Sequence, residues 1–202
     1  MQTILARIFS VIFHPLIMPS AGLLLLFSSG TYLDFLSFSQ KRTIFMILLA
    51  GTAILPLSLI PVLILQRMVA NIRMDDHRER VLPLMITSLF YVFTWYMLAR
   101  LNIPGIISVY VITGSLAVLL CALVSLRWKI SLHMTALGAL AGVLLAISFR
   151  FGINLQLWLT PVFLAGGTVG WARLSLKAHT PAQIYAGYVG GLVLAFIMIS
   201  FF

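Results

Sequence analysis

The sequence predicts an all-α integral membrane protein, a single-domain helical bundle of about six to seven transmembrane helices with little mass outside the bilayer. Three observations predict it. Of the 202 residues, 62% are apolar and only 8% charged, whereas a soluble domain carries roughly a quarter charged residues, and a soluble fold of this size cannot hide so much apolar material. The apolar residues fall into runs near the length that crosses the hydrocarbon core, roughly 20 residues at 1.5 Å each. The 13 Lys and Arg residues behind the net charge of +9 lie in the short breaks between runs, where membrane proteins place them. They form no single patch, which excludes a nucleic-acid-binding reading.

The predicted spans are 8–29, 43–65, 83–99, 103–126, 133–149, 153–171 and 183–202. The first contains Pro15 and Pro19 and is expected to be kinked or re-entrant. It outruns a signal peptide and shows no clear cleavage site, so it is read as a retained first span. The third is short, and the fourth and sixth are the clearest. Trp95, Trp128, Trp158 and Trp171 fall near span ends, as an aromatic belt requires. Gly138 and Gly142, Gly166 and Gly170, and the cluster Gly187, Gly190, Gly191 predict close helix packing among the last three spans. The single cysteine, Cys121, admits no intramolecular disulfide.

The breaks carry the chemistry. Residues 67–80 hold three of the four acidic residues, together with Arg67, Arg73, His77, Arg78 and Arg80. Residues 127–133 hold Arg127, Lys129, Ser131 and His133, and residues 173–183 hold Arg173, Lys177, His179, Thr180, Pro181 and Gln183. Two spans separate each break from the next, so all three reach one membrane face. That face collects three of the four histidines and nine of the 13 basic residues, leaving Lys41, Arg42, Arg100 and Arg150 opposite.

Arginine's planar fork matches phosphate oxygens. Histidine supplies a nucleophile and a proton donor near neutral pH. Ser131 is placed to cap the fifth span, and Thr180-Pro181-Ala182-Gln183 has the T-x-x-Q pattern of a capping box with proline at the first helical position. Helix N-termini present unpaired N–H groups to anions. These are parts for holding a phosphoryl group and attacking it with imidazole.

The same residues resemble the type 2 phosphatidic acid phosphatase superfamily, whose motifs are K-x6-R-P, P-S-G-H and S-R-x5-H-x3-D. Arg73-x6-Arg80-Val81 is similar to the first, Ile130-Ser131-Leu132-His133 to the second, and Ala172-Arg173-x5-His179-x3-Gln183 to the third, running on into Ile184-Tyr185-Ala186-Gly187. The third match is the most specific. The resemblance implies a membrane lipid phosphatase acting on a lipid phosphate or polyprenyl diphosphate through a phosphohistidine, with no metal or other cofactor. It implies that His179 is the nucleophile, that His133 protonates the leaving group, and that Arg73, Arg80, Arg173 and Ser131 hold the phosphoryl oxygens. Four positions depart from the family: Arg73 for lysine, Val81 for proline, Leu132 for glycine, and Gln183 for the aspartate that orients the nucleophile. Two apolar segments also lie between the first two motifs, where the family usually has one loop.

Plainer roles stand beside these. Gln183 caps the last helix or serves catalysis; both readings stay open. Arg173 and Lys177 are interfacial anchors in the plainer reading, and His133 a buried structural histidine. His14, beside Pro15, is read as structural, and His77 as solvated. Two further functions compete: a weak or inactive relative that binds or moves lipid phosphates, and a membrane prenyltransferase holding magnesium diphosphate on Asp75-Asp76-x-x-Glu79. The prenyltransferase has only one such segment, and the remaining acid, Asp34, falls on the opposite face. The charge bias argues for a cytoplasmic site, while the resemblance implies an extracytoplasmic one. The expected location is a bacterial cytoplasmic membrane, with the site on its outer face.

Overall fold

The computed structural model describes residues 2–71, 74 and 76–201. The described residues are helical, joined by short turns. Five helical stretches are long and apolar enough to cross a membrane: Phe38–Leu65, Arg78–Ala99, Gly105–Ser125, Leu132–Phe151 and Pro181–Phe201.

The expected first span breaks at its prolines, as the expected kink requires, and does not form one continuous crossing helix. Residues 8–29 are not one helix: α1 (Gln2–Ile12) and α2 (Met18–Leu26) are separated by a turn over 13–17. Pro15 has no N–H for a helical ladder, its ring disfavours helical conformation at His14, and Pro19 sits in the first turn of α2, where its missing N–H costs nothing. Neither piece reaches the roughly 20 residues of a span. α1 packs on α8 (Gln156–Ser175) and α2 on α7 (Leu132–Phe151). Ile4, Ile8, Val11 and Ile12 of α1 stay exposed, while Ala6 and Ser10 are buried.

The second predicted span starts earlier than hydropathy indicated. Ser37 and Gln40 form a capping box, with Gln40 N–H donating to Ser37 Oγ (3.3 Å) and Ser37 N–H to Gln40 Oε1 (3.0 Å). This starts α3 (Phe38–Leu49), which passes through a π turn at Ala50–Ile54 into α4 (Leu55–Leu65). Pro56 lies just after the widened turn, where a proline disrupts the i→i−4 ladder. Gly51, within the turn, lets Thr94 of α5 (Val81–Ala99) approach its backbone. Ser88 of α5 and Ser115 of α6 (Gly105–Ser125) lie 3.0 Å apart through their hydroxyls, and Ser115 Oγ also donates to the Ser88 carbonyl.

The packing that positions the site lies between α7 and α9 (Pro181–Phe201). A Cβ added at Gly138 would collide with the Tyr188 carbonyl, one at Gly142 with the Leu192 carbonyl, and one at Gly191 with the Thr135 carbonyl. One at Gly187 would lie 2.8 Å from the Ser131 carbonyl oxygen. Of the expected small-residue contacts, these four bring backbones together; Gly166 and Gly170 meet only side chains, and Gly190 faces open space. Because α7 and α9 touch along their backbones, His133 near the start of one and His179 just before the other come to the same end of the bundle.

Candidate functional site

That end holds a cavity of about 850 Å³. Its mouth is lined by Arg7, His14, Arg80, Lys129, His133, Arg173, Lys177 and His179. Deeper, Met18, Leu48, Ile60, Leu84, Tyr91, Tyr110, Gly114 and Val143 line it. The cavity therefore joins a cationic, histidine-bearing mouth to an apolar chamber among α2, α4, α5, α6 and α7. Tyr110 Oη donates to the Pro19 carbonyl oxygen (2.7 Å), closing α2 against α6.

His179 stands on the link between α8 and α9. α8 ends as Lys177 takes a left-handed conformation (φ 51°) and the Ala178 N–H returns to the Arg173 carbonyl (3.1 Å). This reversal brings the chain to Thr180, which caps α9. Gln183 Oε1 accepts the Thr180 N–H (3.1 Å), and Gln183 N–H reaches Thr180 Oγ1 (3.5 Å). The same Oε1 lies 3.2 Å from His179 Nδ1. An amide oxygen can only accept, so these contacts assign the proton to Nδ1 and leave Nε2 with its lone pair. His179 is 8% exposed. Burial, then the positive charge of Arg173, push its pKa down to about 4 against the opposing Gln183 bond, with Arg80 and Lys129 adding to the depression. The ring is neutral at physiological pH.

His133 Nε2 lies 3.0 Å from the Ser10 carbonyl oxygen, so α1 supplies the partner that orients this ring. Arg80, buried, donates from Nε to the Met74 carbonyl (2.9 Å). Arg173, in the last turn of α8, is half-buried, and its Nε is shielded from solvent with no hydrogen-bond partner among the described residues.

The sequence-predicted residues divide accordingly. Arg80, His133, Arg173 and His179 line one cavity, and Gln183 contacts His179. Arg73 lies outside the described residues, as does Asp75. Ser131 occupies the N-cap position of α7, but its hydroxyl makes no capping bond; the residue is wholly buried, its hydroxyl has no partner among the described residues, and it is not part of the cavity lining. His77, expected to be solvated, is half-buried, with Nδ1 2.7 Å from the Ser125 carbonyl, fastening the charged loop to the end of α6. Asp76 and Glu79 do not line the cavity; Asp76 Oδ1 accepts the Arg78 N–H (2.9 Å) as a local turn. Sequence reasoning set His14 aside, yet it lines the mouth with its ring 5.6 Å from that of His133. The one signal pointing to it was Pro15, which breaks the helix beside it.

No protein-family model, curated protein or solved structure matches this chain.

Proposed function

We propose that this protein is a membrane lipid phosphatase that hydrolyses a lipid phosphate or diphosphate through a phosphohistidine. The observation that carries the reading is His179: an uncharged imidazole with Nδ1–H held by an amide oxygen, on the wall of a cavity shared with Arg80, Lys129, Arg173 and Lys177. The phosphoryl group sits in the cationic mouth and the apolar tail in the chamber below. The resemblance of residues 73–187 to the type 2 phosphatidic acid phosphatases supports the same assignment. α8 makes a sixth crossing, and the broken segment 8–29 packs beside it as a non-spanning or re-entrant element, in a multi-pass protein of a bacterial cytoplasmic membrane.

In this mechanism His179 Nε2 attacks phosphorus, a P–N bond forms and the bond to the lipid oxygen breaks. Gln183 Oε1 holds the Nδ1 proton as positive charge develops on the ring. The leaving oxygen takes a proton through His133: with its Nε2–H held on the Ser10 carbonyl, His133 Nδ1 accepts the proton of the bound phosphate monoanion and hands it to the leaving oxygen. Water then attacks phosphorus, the P–N bond breaks, inorganic phosphate leaves and His179 is restored. Arg73, Arg80 and Arg173 supply fixed positive charge to the transferring group.

The test is phosphate release across lipid phosphates and diphosphates in detergent, with and without a strong chelator. Release by the parent, lost in His179→Ala and kept in chelator, is expected. Turnover that disappears in chelator and returns with magnesium would favour the prenyltransferase or another metal-dependent reading. One observation favours a second reading, a protein that binds or moves lipid phosphates without turning them over. Gln183 offers an amide where the resembling family has a carboxylate. Absence of release from every lipid, even by Gln183→Asp, would make that the better account.

A further inference from the structure

We propose that His14, which lies outside every segment of the family resemblance, is an additional phosphate-binding residue, donating a hydrogen bond from its Nε2–H to a phosphoryl oxygen. This rests on reading the cavity as a phosphoryl site. The argument begins with the broken helix. After Ile12 the chain turns through Phe13-His14-Pro15-Leu16-Ile17. The Leu16 N–H donates to His14 Nδ1 (3.3 Å), and the Ile17 N–H to the His14 carbonyl (2.9 Å). An Nδ1 that accepts a backbone N–H carries no proton, so the ring is neutral and its proton is on Nε2.

That Nε2–H makes no hydrogen bond among the described residues, although the residue is half-buried. The adjacent ring is committed: His133 Nε2 is held on the Ser10 carbonyl. The two rings meet edge to face, at 5.6 Å and 78°. A donor with no partner among the described residues, on a cavity wall shared with Arg80, Lys129, Arg173 and Lys177, suits an anion. A neutral ring also adds a donor without adding another full charge beside Arg173.

The competing account is that His14 only shapes the turn through Nδ1. Two substitutions separate the roles, because asparagine places its oxygen near Nδ1 and glutamine can place its amide N–H near Nε2. His14→Asn keeps the acceptor for Leu16 and loses the distal donor; His14→Gln keeps the distal donor. Tungstate, a phosphoryl oxyanion mimic, is titrated calorimetrically into the full-length protein in detergent near neutral pH, with thermal unfolding followed in parallel. The parent and His14→Gln should bind within about threefold of each other, and His14→Asn about tenfold or more weakly, the loss expected for one hydrogen bond to a charged group. His14→Asn should unfold at the parent temperature. Parental affinity in His14→Asn, or equal loss in both variants, overturns the proposal while leaving the phosphoryl site standing. A parent that binds no tungstate overturns both.

Discussion

Gln183 Oε1 stands 3.2 Å from His179 Nδ1 and 3.1 Å from the Thr180 backbone nitrogen, so one amide oxygen serves a helix cap and a histidine together. The second contact settles the orientation of the first. A backbone N–H cannot face an amide NH₂, so the cap turns the oxygen, rather than the nitrogen, toward the imidazole. The geometry thus shows the cap and a contact that orients His179; the catalytic reading of Gln183 is compatible with both and is tested by substitution. An aspartate would add full negative charge; the amide fixes the tautomer alone.

This gives the first prediction. In serine proteases the corresponding Asp-to-Asn change costs ~10⁴ in rate, largely through the wrong tautomer. Here the tautomer is kept, so the parent should be a slow enzyme. Gln183→Ala should reduce phosphate release by about 10–10³-fold, a barrier change of about 1.4–4 kcal/mol. Gln183→Asp should maintain or raise it. An unaltered rate in Gln183→Ala would reduce Gln183 to its capping role.

A second prediction concerns protonation. His179 should titrate near its depressed value of about 4, followed by nitrogen-15 NMR of labelled histidine in the substrate-free protein. Arg173 disfavours the imidazolium, so Arg173→Ala should move the midpoint upward, toward 6.5. The Gln183 bond raises the pKa, so Gln183→Ala should move it further down. A midpoint that ignores Arg173→Ala would place Arg173 away from His179.

The helical, apolar class and the gathering of the three charged breaks at one end of the bundle were legible in the sequence because both rest on local quantities. Hydropathy marks the long helices, and counting spans between 67–80, 127–133 and 173–183 brings those breaks to one end without further knowledge. The T-x-x-Q pattern likewise located Gln183. What failed was what depends on backbone detail or distant partners. An apolar window over 8–29 cannot show that the turn at Pro15 folds α1 onto α8 and brings His14 back to the mouth. Lys41 and Arg42 hid the start of α3, because a capping box can begin a helix in polar sequence. His77 finds its acceptor 48 positions away, at Ser125, and the wholly buried Ser131 shows that a motif position need not face the cavity.

The α7–α9 contact yields a third prediction. Gly142→Ala puts a methyl against the Leu192 carbonyl, whereas Gly190→Ala puts one into open space. The first should destabilise the protein by about 1–3 kcal/mol, the usual cost of overpacking. Thermal unfolding should fall by several degrees, with activity lost in parallel as His133 and His179 separate. Gly190→Ala should leave both measurements near the parent. Equal behaviour of the two variants would show that this helix pair does not set the site.

The fourth prediction turns on Arg173. A basic residue in the last turn of a helix has an ordinary explanation, since the C-terminal end of the dipole attracts any cation. Lysine would serve that purpose equally. A phosphate ligand is different: the planar guanidinium offers paired donors at fixed geometry, and an ammonium offers a point charge. The buried Nε has no partner among the described residues, and leaving such a group unpaired is costly unless a ligand satisfies it. Arg173→Lys should therefore lower kcat/KM for a lipid phosphate by about 10–10²-fold, on the scale of one charged hydrogen bond lost. The histidine provides the control. Because the charge is retained, the His179 midpoint should remain well below 6.5 in Arg173→Lys, while it rises in Arg173→Ala. A slowed variant with an unmoved His179 midpoint assigns the loss to phosphate geometry rather than to the nucleophile's protonation. Parental turnover in Arg173→Lys would make Arg173 an anchor, and the phosphoryl group would then have to be held by Arg80 and the remaining cations of the mouth.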